Sequence, residues 1–231
     1  MKIPNRIHRG SSIVAAVILM VMMLYGTVAS GLLMFVTAKL SGTGVNMWTA
    51  VRLLINAVTT VLVVIALFRG KKDALAAVIF LIAAAALVGT GVISVIVAIV
   101  KRSGAAGAAD DEVVKWTIAG DWVAVVATLI GIGFRALMAL ECFKPGKISG
   151  CGKKAFFIIL PIVYILLIAA SNFIRQGYLI GDYGAFLFFI GTGIPIILNA
   201  LTSVGWVVLG IAFAIPAYEK KPCDTFCEIT E

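Results

Sequence analysis

The chain has 231 residues, of which 62% are hydrophobic and only 13% charged, with a mean hydropathy of +1.12. Soluble domains carry roughly 45–50% apolar and about 25% charged residues, so a water-soluble fold is excluded. The net charge of +8 comes from short basic clusters set between apolar runs, without interleaved stacking aromatics, which argues for a membrane surface and against nucleic acid.

The apolar residues lie in runs long enough to cross hydrocarbon as helices, and the period-2 alternation of a transmembrane barrel is absent. The expected fold is an all-α polytopic transmembrane helix bundle forming a single domain over 1–231. Six spans are read at about 12–38, 48–68, 74–100, 114–141, 155–173 and 185–218, followed by a short tail over 219–231. The last run is 34 residues long, about 50 Å of helix against a hydrocarbon thickness near 30 Å. It must tilt, protrude or break. Gly191, Gly193 and Pro195 supply a helix break, and a split near Asn199 to Ser203 would give a seventh crossing. Six spans are preferred because no charged turn separates the halves. The apolar run after Lys2, Arg6 and Arg9 continues past a weak peptidase-like Val28-Ala29-Ser30 to Val36, so the first span is expected to be retained.

Alternate loops collect Lys2, Arg6, Arg9, Arg69, Lys71, Lys72, Lys144, Lys147, Lys153, Lys154, Lys220 and Lys221 on one side. The other side holds Lys39, Lys101, Arg102, Lys115 and Arg175, with Asp110, Asp111, Glu112 and Asp182. The richer side is cytoplasmic by the positive-inside rule, which places both termini there and sets its basic loops against anionic lipid headgroups.

A Gly-Thr-Gly triplet occurs at Gly89–Gly91 and again at Gly191–Gly193, an offset of 102 that also carries the first span onto the fourth. Inverted repeats would produce this pattern, and so would the recurrence of small residues wherever membrane helices pack closely; the second is the simpler account.

Charges inside hydrocarbon cost roughly 2.5–3.5 kcal/mol each and need a partner, water or a route to the interface. Arg52, Asn56, Thr59 and Thr60 share one face of span two, Asp121 lies at similar depth in span four, and Asn199 lies deep in span six. An Arg52–Asp121 pair is therefore expected, and Arg52, Asn56, Asp121 and Asn199 form either a polar pathway or an interhelical network in which Arg52 snorkels and Asp121 and Asn199 only lock helix packing. Arg135 is expected to snorkel to the nearer headgroups.

The enzyme inventory is thin. The one histidine, His8, sits in the basic N-terminal segment. No metal motif is present, and no P-loop, dinucleotide loop or nucleophile elbow can be made from triplets lying within spans, so no cofactor is implied. Cys142, Cys151, Cys223 and Cys227 all fall on the cytoplasmic side, where disulfides are disfavoured. Free thiols, S-acylation beside the basic loop and a four-thiolate zinc site are the readings, and C-x8-C with C-x3-C fits zinc poorly.

The expected function is a non-enzymatic protein that moves or gates a small solute. A scaffold or partner subunit is the second reading, in a homo- or hetero-oligomer, and a membrane enzyme acting on a lipophilic substrate the third. The topology predicts alternating accessibility of single cysteines placed at Gly42, Lys72, Ala106, Lys147 and Leu179 in a cysteine-free chain. Accessibility that fails to alternate along these positions would overturn it.

Overall fold

A computed structural model describes residues 5–41, 47–104, 112–146, 155–176, 194–215 and 217. The helices are α1 (Arg9–Ser41), α2 (Met47–Arg69), α3 (Ala74–Leu87), α4 (Ser94–Ser103), α5 (Glu112–Phe143), α6 (Ala155–Gln176) and α7 (Ile194–Ala214). A π-helical turn, Val88–Ile93, joins α3 to α4 as one rod. Five of the resulting helices are long and apolar enough to cross a membrane, as an integral membrane helix bundle requires. Their outward faces carry large apolar side chains such as Leu54 and Leu166, which are 64% and 63% exposed. A soluble monomer does not present contiguous apolar surface of that extent.

The observed helices overrun the expected spans. The α3–α4 rod continues to Ser103 and α6 to Gln176, so Arg102 and Arg175, both assigned to loops from the sequence, stand in last helical turns. The backbone of α7 is helical through 199–203, so the split considered there is not found. Gly191 and Gly193 lie outside the described residues, and Pro195 stands at the second residue of α7, where the missing N–H costs least if the helix starts there. The helix-break proposal thus falls at the edge of what is described.

Local chemistry fixes the turn between α2 and α3. Gly70 takes φ +61°, a conformation glycine adopts freely at a helix C-terminus. Asp73 then caps α3, its Oδ1 accepting from the Ala76 N–H at 2.8 Å while Oδ2 accepts from Arg69 Nη2 at 2.6 Å.

The helices form a ring in chain order: α1 packs on α2, α2 on α3, α3 on α5, α5 on α6, α6 on α7, and α7 closes on α1. Small residues make the contacts, among them Ala15, Ala16, Ala66, Ala77 and Ala212, all fully buried. One end of the ring is filled by side chains. Phe213 stands edge-on to Phe80 at 5.5 Å and lies 5.8 Å from Phe157, with Leu67, Phe134 and Met138 buried around them. The N-terminal segment crosses this end. The Ile7 N–H donates to the Gly70 carbonyl, His8 N–H to that of Ala212 and Lys72 N–H to that of Asn5.

Pro161 has no N–H to offer the carbonyl of Phe157, four residues earlier. That carbonyl meets α7 instead: a Cβ at Gly210 would lie 1.9 Å from its oxygen. Backbone cannot yield as a side-chain tip can. Gly210→Ala is expected to lower stability by about 3 kcal/mol or more. Gly133→Ala, where an added Cβ meets nothing within 4 Å, should be neutral or gain up to about 1 kcal/mol of helix propensity. Thermal unfolding of the two variants in one detergent checks the order; equal melting temperatures would refute the α6–α7 contact.

Candidate functional site: a polar cavity inside the helix ring

At the other end the ring encloses a cavity of about 560 Å³. Helix α2 contributes Arg52, Asn56, Thr59, Thr60 and Val63, the stripe that its helical period places on one face. From Arg52 to Val63 that stripe runs about 16 Å, roughly half the hydrocarbon thickness. Helix α1 adds Met22, Met23 and Thr27; the α3 rod Thr90 and Gly91; α5 Thr128 and Arg135; α6 Tyr164, Ser171, Asn172 and Arg175; and α7 Trp206.

The π-helical turn positions Thr90. Its extra residue per turn shifts the hydrogen-bond ladder, and the Ser94 hydroxyl donates to the Gly89 carbonyl five residues back at 3.1 Å. Thr90 donates to the Ala86 carbonyl at 2.8 Å and lies 3.3 Å from Asn56 Oδ1, which links α3 to the α2 stripe. Gly91 lets α5 approach, since a Cβ there would stand 2.5 Å from the Thr128 methyl. Gly120 does the same for α6. The Ser171 hydroxyl donates to the Gly120 carbonyl at 2.8 Å, and an added Cβ would meet the Ser171 carbonyl at 2.8 Å.

The expected Arg52–Asp121 pair is not what the structure forms. Asp121, 4% exposed, accepts from Arg175 Nη2 on Oδ1 at 2.7 Å and from Arg102 Nη1 on Oδ2. Both arginines come from helix ends that outrun their apolar runs, and their long side chains reach back to Asp121. Arg52 lines the same cavity without joining that triad. Of the proposed pathway, Arg52 and Asn56 line the cavity directly, Asp121 stands behind Arg175, and the Asn199 side chain lies outside the described residues.

Arg135 does not snorkel. It is 8% exposed, donates from Nη1 to the Gly131 carbonyl at 3.0 Å, and lies 4.0 Å from the centroid of the Trp206 ring. A guanidinium over an indole face gains cation–π attraction, which is larger once water is excluded. Trp206 comes from another helix, so this placement has no signature in local sequence.

A second charged group, at the filled end, was also unforeseen. Lys72 Nζ donates to Glu141 Oε1 at 2.9 Å with both side chains fully buried. The same oxygen accepts the Gly146 N–H at 2.9 Å, and Phe213 faces the ammonium at 5.6 Å. Lys72, counted in the sequence as a loop cation and labelling site, is therefore a core residue; Lys71 beside it is exposed and suits the label. Cys142 is likewise core, 2% exposed, which places its thiol beyond reach of S-acylation without opening of the α5 end. Cys151, Cys223 and Cys227 lie outside the described residues.

Comparison with protein families, curated proteins and solved structures finds no match.

The triad generates a mutational test. Asp121→Asn leaves two guanidinium groups facing a neutral amide and should cost about 2 kcal/mol, with a coupling of about 1 kcal/mol or more to Arg175→Gln. Asp121→Asn and Arg52→Gln should be additive within about 0.5 kcal/mol. Double-mutant cycles read from thermal or denaturant unfolding decide between the two partners, and strong coupling to Arg52 alone would reverse the assignment.

Proposed function

We propose that this protein binds a small solute in the cavity of its helix ring and moves or gates it across the membrane, without chemical conversion. The observation that carries the reading is the polar lining at membrane depth. Arg52, Asn56, Thr90, Thr128, Ser171, Asn172 and Arg175 face one space of about 560 Å³. Ligand sites typically occupy roughly 300–1,000 Å³. A bundle needing only rigidity would gain by filling that space with apolar side chains, because interior polar groups stabilise helix association by only about 0.6 kcal/mol on average. Asp121, buried rather than facing lipid, holds Arg175 in the wall.

The transport reading makes one further proposal. The termini and the Lys72 end of the ring face the cytoplasm, and the cavity opens toward the opposite side, as the distribution of basic residues favours.

The test is entry of water-soluble reagent. In a cysteine-free background, Asn56→Cys, Thr128→Cys and Asn172→Cys should react with a charged methanethiosulfonate in proteoliposomes, at rates at least tenfold above Val126→Cys on the outward face. Protection of all three cavity positions to the level of Val126→Cys would replace the solute reading with a scaffold role.

A further inference from the structure

Arg135 is a buried cation, and among the described residues no counter-charge pairs with it. Among the described residues every carboxylate is engaged elsewhere: Asp73 with Arg69, Glu112 with the Trp116 indole, Asp121 with Arg102 and Arg175, and Glu141 with Lys72. None of the four lines the cavity. The Arg135 guanidinium carries five N–H donors, and its one protein hydrogen bond among the described residues goes to the Gly131 carbonyl on its own helix. None of its nitrogens is sealed in protein without a partner, so the unused donors border the cavity that Arg135 lines.

An unpaired guanidinium at this depth is costly, and a backbone carbonyl and an indole face do not neutralise it. The two other cations of the lining share its sign. Arg175 is held by Asp121, and Arg52 stands farther along the cavity toward its own helix end. A cavity whose described lining presents cations and hydroxyls but no carboxylate has the character of an anion site. Its planar fork matches a carboxylate or phosphate with two parallel N–H···O bonds. Trp206 lies next to the fork, and Leu19, Met22 and Ile168 line the same cavity, apolar surface that a bare inorganic ion would leave uncovered.

We propose that the cavity binds a small organic anion, a carboxylate or phosphate ester with an apolar body, whose charged group pairs with Arg135 and whose body lies against Trp206. This assignment rests on the solute-binding reading and names the class of solute. A free organic anion and an anionic lipid headgroup share this chemistry.

Trp206 provides the reporter. The full chain carrying Trp48→Phe, Trp116→Phe and Trp122→Phe, in nanodiscs of phosphatidylcholine at neutral pH, is titrated with octanoate, with octanol and with inorganic phosphate. Octanoate should change Trp206 fluorescence saturably, phosphate should do so at higher concentration, and octanol should not at the concentrations where octanoate saturates. Arg135→Gln should weaken octanoate binding at least tenfold, and Arg135→Lys, which keeps the charge but loses the fork, by less. In discs containing phosphatidylglycerol, a fluorescence change already present before octanoate identifies the lipid headgroup as the source of the anion; its absence identifies the free anion.

Equal binding of octanol and octanoate, or unchanged octanoate affinity in Arg135→Gln, overturns the assignment. Should Arg135→Gln not fold, the octanoate and octanol titrations of the reporter chain decide alone. Reagent entry into the cavity combined with no octanoate or phosphate binding sinks the anion class and spares the solute reading. Exclusion of the reagent sinks the solute reading itself.

Discussion

A charge in the hydrocarbon interior must be paired, solvated or moved, and helix α5 carries three of them through the bundle: Asp121, Arg135 and Glu141. All three are buried. The two carboxylates stand 20 residues apart, about 30 Å along the helix, and each recruits cations from other elements. Asp121 gathers Arg102 and Arg175 and so joins the ends of α4 and α6; Glu141 takes Lys72 and so joins the α2–α3 turn. Burial of an ion pair is weak evidence for net stability, but removing one partner leaves an uncompensated charge. These pairs therefore join helix ends that the chain order alone does not bring together.

Within that frame, close contacts decide where space remains. Gly120, Gly91 and Gly210 bring α5 onto α6, the α3 rod onto α5, and α7 onto α6 at distances a Cβ would forbid. At the Lys72 end the gap inside the ring is filled by three phenylalanines and Met138. At the Asp121 end hydroxyls, amides and long cations stand among the apolar residues of the lining, and the same ring is packed at one end and hollow at the other.

Much of this was legible in the sequence. Run length marks the apolar helices that can cross a membrane, though not their ends, because every backbone group in hydrocarbon must be satisfied within its own segment. The 3.6-residue period places Arg52, Asn56, Thr59 and Thr60 on one face, and that face lines the cavity. Partner choice was not legible. Arg102 and Arg175 follow the ends of apolar runs and read as loop residues, although helices continue through polar residues once a buried carboxylate holds them. Matched depth suggested Arg52 for Asp121, but depth says nothing about which neighbours flank α5 in the ring. Arg135 and Lys72 mislead for a related reason: snorkelling and loop exposure are the default for a long cation, and only a facing Trp206 or Glu141 on another helix reverses it.

The asymmetry of the ring bears on what movement of a solute requires. From the cavity toward the Lys72 end, the path meets the Phe80, Phe157 and Phe213 layer, then the Lys72–Glu141 pair, then the N-terminal segment bound between Gly70 and Ala212. Parting the pair within a dry interior would cost several kcal/mol, whereas parting it as water enters costs little, since an ion pair in high dielectric is worth about 1 kcal/mol or less. Under the solute-moving proposal, opening at that end would therefore be cooperative: the aromatic layer and the N-terminal segment would have to admit water before the ions separate. The three barriers share elements. Phe213 and Ala212 are neighbours on α7, and Lys72 follows Gly70 by two residues. A rigid tilt of α7 against α6 would move the aromatic layer and the His8 contact together, because Phe213 and the Ala212 carbonyl that accepts from His8 are adjacent on α7.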